Sequence, residues 1–200
     1  MEKEFLSQER RDFFSKIFIA GTGSLALLSL SGCGSSDNDS SDTNTTDTTT
    51  GTLTAEQKAT LLWMYQEEKV ARDVYMWMDD IYGTQTNTFA NIILSEQMHM
   101  DAVEKLCIKY SVDISAIDEN DIGVFILPDL QDLYDTMIAR DGTLEEALQV
   151  GIDIETTDIT DLDDAAVGMP SDVVSVFENL KEGSLNHLGA FTYALSQLTP

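Results

Sequence analysis

Four long stretches of this sequence repeat apolar residues every three to four positions, which is the spacing that puts side chains on one face of an α-helix. The stretches are about 55–82, 87–110, 143–166 and 171–197. Capping boxes at Thr54 and Thr143 predict the starts of the first and third helices, and Ser171 predicts the cap of the fourth. Pro128, a good first-turn residue, predicts a further short helix. The chain is therefore expected to be all-α.

The lengths of the connections predict how these helices are arranged. Short links join the first helix to the second and the third to the fourth, so each pair is expected to be antiparallel. The 32 residues of 111–142 are long enough to carry the chain back along the bundle. Two hairpins joined by a long crossover between helices two and three form the ferritin-like arrangement of a four-helix bundle, which is the predicted fold.

Carboxylates and imidazoles interrupt the apolar stripe of every predicted long helix. They are Glu68 on the first helix, Glu96 and His99 on the second, Glu155 on the third and His187 on the fourth, with Asp158 one turn past Glu155. Within each hairpin these positions lie at the same distance from the turn to within about one helical turn, or 5 Å. Because an unpaired charge is costly to bury, carboxylates on core faces are usually paired or bound to metal. These groups are therefore expected to meet in one layer of the bundle.

The residue types in this layer are those of a metal centre. Glu96 and His99 form Glu-x-x-His, whose three-residue spacing puts both groups on one helix face. Di-iron and di-manganese carboxylate proteins take one Glu from each of two helices and Glu-x-x-His from each of the other two. The chain has only two histidines, and both fall in the layer. We expect two bound metal ions, with iron as the first choice and manganese as the alternative.

Three segments carry a resemblance to a known family. They read QEEKVARDVY at 66–75, SEQMHMDA at 95–102 and NHLGAF at 186–191. The first is similar to the first metal-binding helix of the rubrerythrin branch of the ferritin-like superfamily. Together they resemble a bacterial and archaeal ferritin-like family of unknown function, over about residues 53–197. The resemblance implies five metal ligands: Glu68, Glu96, His99, Glu155 and His187.

Three residues near the first ligand have predicted roles of their own. Arg72 is expected to balance nearby carboxylates and so to support the ligands. Tyr75, two turns from Glu68, is expected beside the ligands as a supporting residue of the core rather than as a redox-active one. Glu67 is turned about 100° around the helix from Glu68 and is expected on a solvated face.

The fourth helix departs from the superfamily pattern, because Ser184 stands where the pattern has the glutamate of Glu-x-x-His. Asp158 is the expected substitute, and the second metal position is expected to be weaker, more open or absent. By analogy with the superfamily, the activity would be that of an oxidase or peroxidase acting with oxygen or peroxide. Two alternatives stay open: a non-catalytic metal-binding or sensing module, and a purely structural bundle.

The N-terminus predicts export rather than a folded domain. Residues 1–32 contain an apolar run of 14 residues at 17–30 after a start that carries basic residues, which is typical of a signal peptide. Arg10 and Arg11, followed by Phe13, resemble a twin-arginine signal, and the general secretory route is the alternative.

A lipid anchor is predicted at the end of this signal. The sequence LSGC at 30–33 resembles a bacterial lipobox, so cleavage would leave Cys33 as a lipidated N-terminus. Residues 33–52 are mostly Ser, Thr, Asp, Asn and Gly and predict a disordered linker. The folded domain is then 53–200. The protein is expected to be exported and anchored to a membrane, either periplasmic or at the cell surface.

The charge of the chain limits its partners. It carries 36 acidic and 11 basic side chains, a net charge of −25 and a pI near 4.1. This balance argues against nucleic acid and against charge-driven binding to anionic lipid. A homodimer and an unidentified redox partner stay open. Cys107 is expected to be buried, and a calcium-like segment at 118–123 is discounted because Ile122 occupies a ligand position.

Overall fold

In the computed structural model, residues 52–198 are described, and every regular element among them is an α-helix. The elements are α1 (Ala55–Tyr82), α2 (Thr88–Tyr110), α3 (Pro128–Ile138), α4 (Leu144–Ala165) and α5 (Ser171–Ser196). The all-α prediction is confirmed for this part of the chain, and the long helices begin and end within one residue of the predicted bounds. The predicted signal peptide, the lipidated Cys33 and the linker up to residue 51 lie outside the described residues.

The starts of α1 and α4 follow the side-chain chemistry of their caps. The hydroxyl of Thr54 accepts a hydrogen bond from Gln57 N at 3.2 Å, and Gln57 Oε1 accepts one from Thr54 N at 2.8 Å. This reciprocal pair is the predicted capping box. At the start of α4 the hydroxyl of Thr143 accepts from Glu146 N at 3.1 Å, which supplies one half of a box.

The cap predicted at Ser171 is wrong. Ser171 is already the first helical residue of α5, and Pro170 occupies the cap position with an extended backbone. Proline suits a helix start because its φ is fixed near the helical value. It has no N–H, and an N–H at this position would find no acceptor within the helix.

The four long helices pack around one apolar core. Each hairpin is formed by sequence neighbours, α1 with α2 and α4 with α5, and contacts between α1 and α4 and between α2 and α5 close the ring. Every long helix therefore has two long neighbours, an arrangement compatible with a four-helix bundle. Among residues 52–198 no helix combines the length and hydropathy needed to cross a bilayer.

The first helix is buried around its whole circumference in its middle. All residues from 63 to 75 are buried, including charged side chains outside the predicted stripe. The chain between α2 and α4 causes this, because it runs along the outer side of α1. Backbone N–H groups of Ile126 and Leu127 donate to Gln66 Oε1 at 2.9 and 3.2 Å, and α3 packs against α1.

The segment 118–123, which resembles a calcium-binding loop, contacts the side-chain ammonium of a lysine on α1. The ammonium of Lys69, fully buried on α1, donates to Asp73 Oδ2 at 2.6 Å and to the carbonyl of Asp121 at 2.8 Å. It also lies 4.7 Å from the ring centroid of Phe125. This buried ion pair attaches the crossover to the bundle.

Candidate metal centre

The structure brings the five predicted ligand residues into one chain of contacts. The relevant distances are 3.2 Å from Glu68 Oε2 to His99 Nδ1, 3.1 Å from His99 Nδ1 to Glu96 Oε2, 2.9 Å from Glu96 Oε1 to His187 Nδ1, and 3.5 Å from His187 Nδ1 to Glu155 Oε1. All five side chains are buried. They come from four different helices, so the predicted layer exists as a packed cluster.

Glu96 lies at the middle of this cluster. One oxygen of its carboxylate faces His99 and the other faces His187, and the two imidazole rings are stacked with centroids 5.4 Å apart. Ligand atoms of these three residues all lie within 4.8 Å of one another. A carboxylate and two imidazoles in this geometry form a candidate metal-binding group.

The Nδ1 atom of each imidazole lies near two carboxylate oxygens, but it can donate a hydrogen bond with only one hydrogen. His99 Nδ1 lies within 3.2 Å of both Glu68 and Glu96, although a ring nitrogen carries at most one hydrogen. His187 Nδ1 and Glu96 Oε1 lie 2.9 Å apart, and neither atom has a hydrogen-bond partner. Four buried atoms here have no hydrogen-bond partner: Glu68 Oε1, Glu96 Oε1, Asp158 Oδ1 and His187 Nδ1. Buried polar atoms without partners are costly, so these atoms mark the cluster as a candidate cation site.

Burial and neighbouring charges separate the acidities of the three glutamates. Burial raises the pKa of Glu68 to about 8, in spite of its contact with His99. Burial likewise raises the pKa of Glu155 to about 8, and the charge of Glu96 adds to the effect. Burial acts in the same direction on Glu96, but its contacts with His187 and His99 outweigh it and lower its pKa to about 2.

The two histidines hold protons tightly. Burial would lower the pKa of His99, yet Glu68 and Glu96 outweigh burial and raise it to about 11. The pKa of His187 is raised to about 9, because Glu155 and Glu96 outweigh burial in the same way. Near neutral pH the two imidazoles therefore carry positive charge beside the ionised Glu96, in the place where a cation would fit.

Tyr75 orients one of the outer carboxylates. Its hydroxyl donates to Glu155 Oε1 at 2.6 Å, and its ring packs against Phe191 and Phe89 at centroid distances of 5.0 and 6.2 Å. Burial, followed by the charge of Glu155, raises the pKa of Tyr75 well above its usual value. Tyr75 is thus a buried core residue, as its position predicted, and it also contacts the cluster.

Asp158 and Ser184 form a separate pair next to the cluster. The hydroxyl of Ser184 lies 2.6 Å from Asp158 Oδ2 and 3.1 Å from the carbonyl of Leu180. Burial, with the charges of Glu68 and Glu67, raises the pKa of Asp158 well above its usual value. Asp158 therefore points to the residue that replaces the pattern's glutamate, and its other oxygen has no partner.

Gly183 allows α5 to approach the histidine of α2. A Cβ at this position would overlap His99 Nε2, and it would lie 2.7 Å from His99 Cε1. Real Cβ atoms do not make contacts this short, so any larger residue would force the ring to move. Gly183 was not predicted from the sequence, although a glycine inside a helix, one turn before a histidine, can indicate close packing.

Two other predicted side chains lie elsewhere than expected. Arg72 makes its hydrogen bonds to Asp73, Gln97 and the carbonyl of Glu119, rather than to the ligand carboxylates. Glu67 is buried, and its Oε2 accepts a hydrogen bond from the indole of Trp63 at 2.8 Å. The solvated face predicted for Glu67 is wrong because the crossover and α3 cover this side of α1.

Comparisons with known proteins identify the family to which this domain belongs. A family model described as "Uncharacterized protein domain (DUF2202)" matches residues 57–199. "Uncharacterized protein MJ0754" from Methanocaldococcus jannaschii is 39% identical over 146 residues, which is 72% of this chain and 77% of that protein. The crystal structure of "hypothetical protein MJ0754 from Methanococcus jannaschii DSM 2661" is similar with a TM-score of 0.70 and 37% identity, over 74% of this chain and 84% of that one. This chain belongs to the DUF2202 family of helical domains.

Proposed function

We propose that this protein is a ferritin-like di-metal carboxylate protein, with iron as the expected metal and manganese as the alternative. The observation that carries the proposal is the position of Glu96. Its two carboxylate oxygens face the imidazoles of His99 and His187, and its single negative charge cannot balance two imidazolium charges. Glutamates and histidines that meet from four helices are the ligand types with which di-iron and di-manganese carboxylate proteins hold their metals. The crossover between α2 and α4 supports the ferritin-like topology.

The residues present fit two cations. Glu68, Glu96 and His99 would hold one, and Glu96, Glu155 and His187 would hold the other. Asp158 would supply the additional carboxylate that Ser184 cannot, using the Oδ1 atom that has no partner. Carboxylate and imidazole ligands suit iron and manganese. Divalent cations would also replace the protons that the buried acids and imidazoles otherwise retain.

Residues around the ligands would fix their orientation. Tyr75 holds Glu155 by a 2.6 Å hydrogen bond, and Ser184 holds Asp158 at the same distance. Gly183 leaves room for the Nε2–Cε1 edge of the His99 ring against α5, while Nδ1 lies near Glu68 and Glu96. Such supporting contacts usually change metal affinity by about 10–100-fold when removed.

The reaction supported by this donor set is oxidation by a small oxidant. Ferrous ions bound here would supply electrons to oxygen or peroxide, which gives oxidase or peroxidase-type chemistry. The chain contributes a buried, carboxylate-rich cluster that is shielded from bulk water, and the hydroxyl of Tyr75 within hydrogen-bond distance of Glu155. The chemistry is proposed by analogy with the superfamily.

A second candidate is a non-catalytic metal-binding or sensing module. Ser184 favours it, because the missing glutamate leaves one position with fewer charged ligands. A site of this kind would bind metal without fast turnover. The two candidates share the metal centre and differ in reactivity.

Elemental analysis tests the metal centre. The protein is purified from its native host, because overexpression can load the wrong metal, and its transition-metal content is measured. We expect close to two equivalents of iron or manganese, and loss of both in the double variant Glu68→Ala, His187→Ala. Glu178→Gln on the exposed face of α5 is the matched control. No more than trace transition metal in the wild-type protein would contradict both metal proposals and leave a structural bundle.

Stopped-flow absorbance separates enzyme from binding module. The reduced, Fe(II)-loaded protein is mixed with oxygen or with peroxide, and the rate of ferrous oxidation is compared with that of the double variant. A rate at least tenfold above the variant supports the oxidase or peroxidase. Equal rates, with metal bound in the wild type, favour the non-catalytic module.

We also propose that the mature protein is an exported lipoprotein held on a membrane through Cys33. The motif at 30–33 and the polar linker support this location. Phase partitioning in detergent tests it: the wild-type protein is expected in the detergent phase and Cys33→Ala in the aqueous phase. Continued detergent partitioning of Cys33→Ala contradicts the anchor.

A further inference from the structure

A small recess lies between α1, α3 and α4, on the side of α1 that α3 covers. Its volume of about 10 Å³ is enough for about one water molecule. Two of the residues that line it, Leu133 on α3 and Thr157 on α4, are only half-buried. The recess is therefore reached from the surface between these two helices.

Two buried carboxylates line this mostly apolar recess, Glu67 from α1 and Asp158 from α4. Their side chains belong to residues that are only 5% and 6% exposed. Asp158 Oδ2 accepts a hydrogen bond from Ser184 at 2.6 Å, whereas Asp158 Oδ1 is buried and has no hydrogen-bond partner. Burying two acids side by side is costly unless a positive charge compensates them. A cation that entered the recess would supply that charge.

Asp158 connects the recess to the candidate metal centre. It follows Glu155 by three residues on α4, so both carboxylates lie on one face of that helix. The charges of Glu68 and Glu67 on α1 both act on Asp158. Glu67 directly precedes Glu68, so α1 presents one carboxylate to the recess and the next one to the cluster. The recess and the metal centre therefore adjoin, and Asp158 belongs to both.

We propose that this recess is the port through which divalent cations enter and leave the metal centre, with Glu67 and Asp158 as the carboxylates that pass them inward. The inference rests on the proposed metal centre. A hydrated cation is larger than the recess, so it must lose water to pass, and carboxylate oxygens can replace that water. The net charge of −25 attracts cations toward the opening and repels anions.

A port has a kinetic signature that a ligand does not have. A residue that only narrows or widens the path changes the barrier between solvent and site, so it changes the rates of entry and exit by the same factor. The dissociation constant, which is the ratio of the two rates, then stays the same. Loss of a metal ligand instead raises the dissociation constant.

Cobalt binding by the full chain, freed of metal with a chelator, tests the port. Stopped-flow visible absorbance measures the entry of Co(II), mixing with excess chelator measures its exit, and titration gives the dissociation constant. Thr157→Leu adds bulk at the opening and is expected to slow entry and exit at least fivefold, with a dissociation constant within threefold of wild type. Thr160→Leu makes the same change at an exposed position one turn further along α4 and is expected to match the wild type.

A second variant changes the opening in the other sense. Leu133→Ala widens the recess from the α3 side and is expected to speed entry and exit at least threefold, again with an unchanged dissociation constant. Leu144→Ala is the matched control, because it removes the same atoms at a partly buried position of α4 outside the recess. Circular dichroism checks that each variant keeps its helical content.

A third variant tests the role of charge. Glu67→Gln keeps the size of the side chain and removes its charge, so Co(II) entry is expected to slow at least threefold. Glu178→Gln, on the exposed face of α5, is the control.

The outcomes separate the port from the metal centre. Wild-type rates in Thr157→Leu and Leu133→Ala, with Co(II) bound, overturn the port and leave the metal centre intact. Equal changes in Thr160→Leu or Leu144→Ala overturn the port as well, and so does a slower entry that appears only as weaker binding with exit unaltered. A wild-type chain that binds no Co(II) overturns both the metal centre and its port.

Discussion

Glu96 lies on α2 and His187 on α5, in different hairpins, yet Glu96 Oε1 lies 2.9 Å from His187 Nδ1. The second oxygen of the same carboxylate lies 3.1 Å from His99. Among the described residues this places one negative charge between two imidazoles. The contact is therefore the most sensitive point of the proposed metal centre.

Glu96→Gln is expected to lower metal affinity by at least about 100-fold, because it removes the ligand charge shared by both positions. The measurement is a Co(II) titration followed by visible absorbance, with stoichiometry from elemental analysis. The control is Glu178→Gln, which makes the same change in charge at an exposed position of α5 and is expected to match the wild type. An affinity within about threefold of wild type in Glu96→Gln would show that this carboxylate is not a ligand.

Gly183→Ala is expected to destabilise the metal-free protein by about 1–3 kcal/mol, since its Cβ would overlap the His99 ring. The control is Gly189→Ala, where a Cβ meets nothing within 4 Å. Gly189→Ala is expected to stabilise the helix by about 0.4–1 kcal/mol, as alanine loses less entropy on folding. Urea unfolding measures both. Equal changes in the two variants would mean that the contact with His99 carries no constraint.

The stability of the metal-free protein is expected to fall as pH rises from about 5 to 9. The pKa values of His99 and His187 are raised to about 11 and about 9, above the usual 6.5, so their contribution is complete below pH 6.5 and is lost as pH rises through the folded values. The pKa values of Glu68 and Glu155 are raised to about 8, so the folded state also binds more protons than the unfolded state between 4.5 and 8. All four raised pKa values therefore lower the stability of the metal-free protein as pH rises.

Metal binding is expected to reverse this trend. Carboxylate and imidazole ligands must lose their protons to bind a cation, so affinity is expected to increase with pH and binding to release protons. Thermal unfolding from pH 5 to 9, with and without Mn(II), gives both trends, and calorimetry in buffers of different ionisation enthalpy counts the protons. A metal-free stability that rises between pH 6 and 9 is the result that contradicts these shifts.

The sequence predicted the layer of carboxylates and imidazoles because each of these residues interrupts an apolar stripe at helical spacing. Glu68 and His99 meet at 3.2 Å, as expected from depths below the first turn that agree to within about one helical turn. The burial of Glu67 could not be predicted in this way. Helical periodicity identifies only the face of α1 that packs into the bundle. The opposite face is covered by the segment between α2 and α4, and no periodic pattern in the sequence predicts the path of that segment.

The partners of charged residues were harder to predict than their positions. Arg72 was expected to balance nearby carboxylates, and the carboxylate that it contacts is Asp73, adjacent in sequence, while Gln97 faces it from α2. Lys69 and Asp73 are spaced as a helix pair, which on an exposed face is worth little. Their burial depends on a loop about 50 residues later, and local spacing contains no information on that contact.

Cys107 is expected to be unreactive in the folded protein. It is fully buried, and burial raises the pKa of its thiol to about 12, so almost no thiolate forms at pH 8. Mass spectrometry of the peptide that contains Cys107, after treatment with iodoacetamide, measures this directly. We expect little modification without denaturant and complete modification in urea. Rapid native labelling would show that the α1–α2 packing opens near Leu61, whose carbonyl the thiol contacts.

Lys69→Met is expected to destabilise the protein by about 3–5 kcal/mol, because it leaves Asp73 buried next to the crossover with half of its compensating charge removed. Arg72 remains in contact with Asp73 but points to its other oxygen. The loss of the Lys69 contact with Asp121 is also expected to free the 118–123 segment, so limited proteolysis there accelerates. Lys58→Met, at an exposed end of the same helix, is the control. A loss below about 1 kcal/mol with unchanged cleavage would mean that the apolar contacts of α3, rather than this ion pair, hold the crossover on α1.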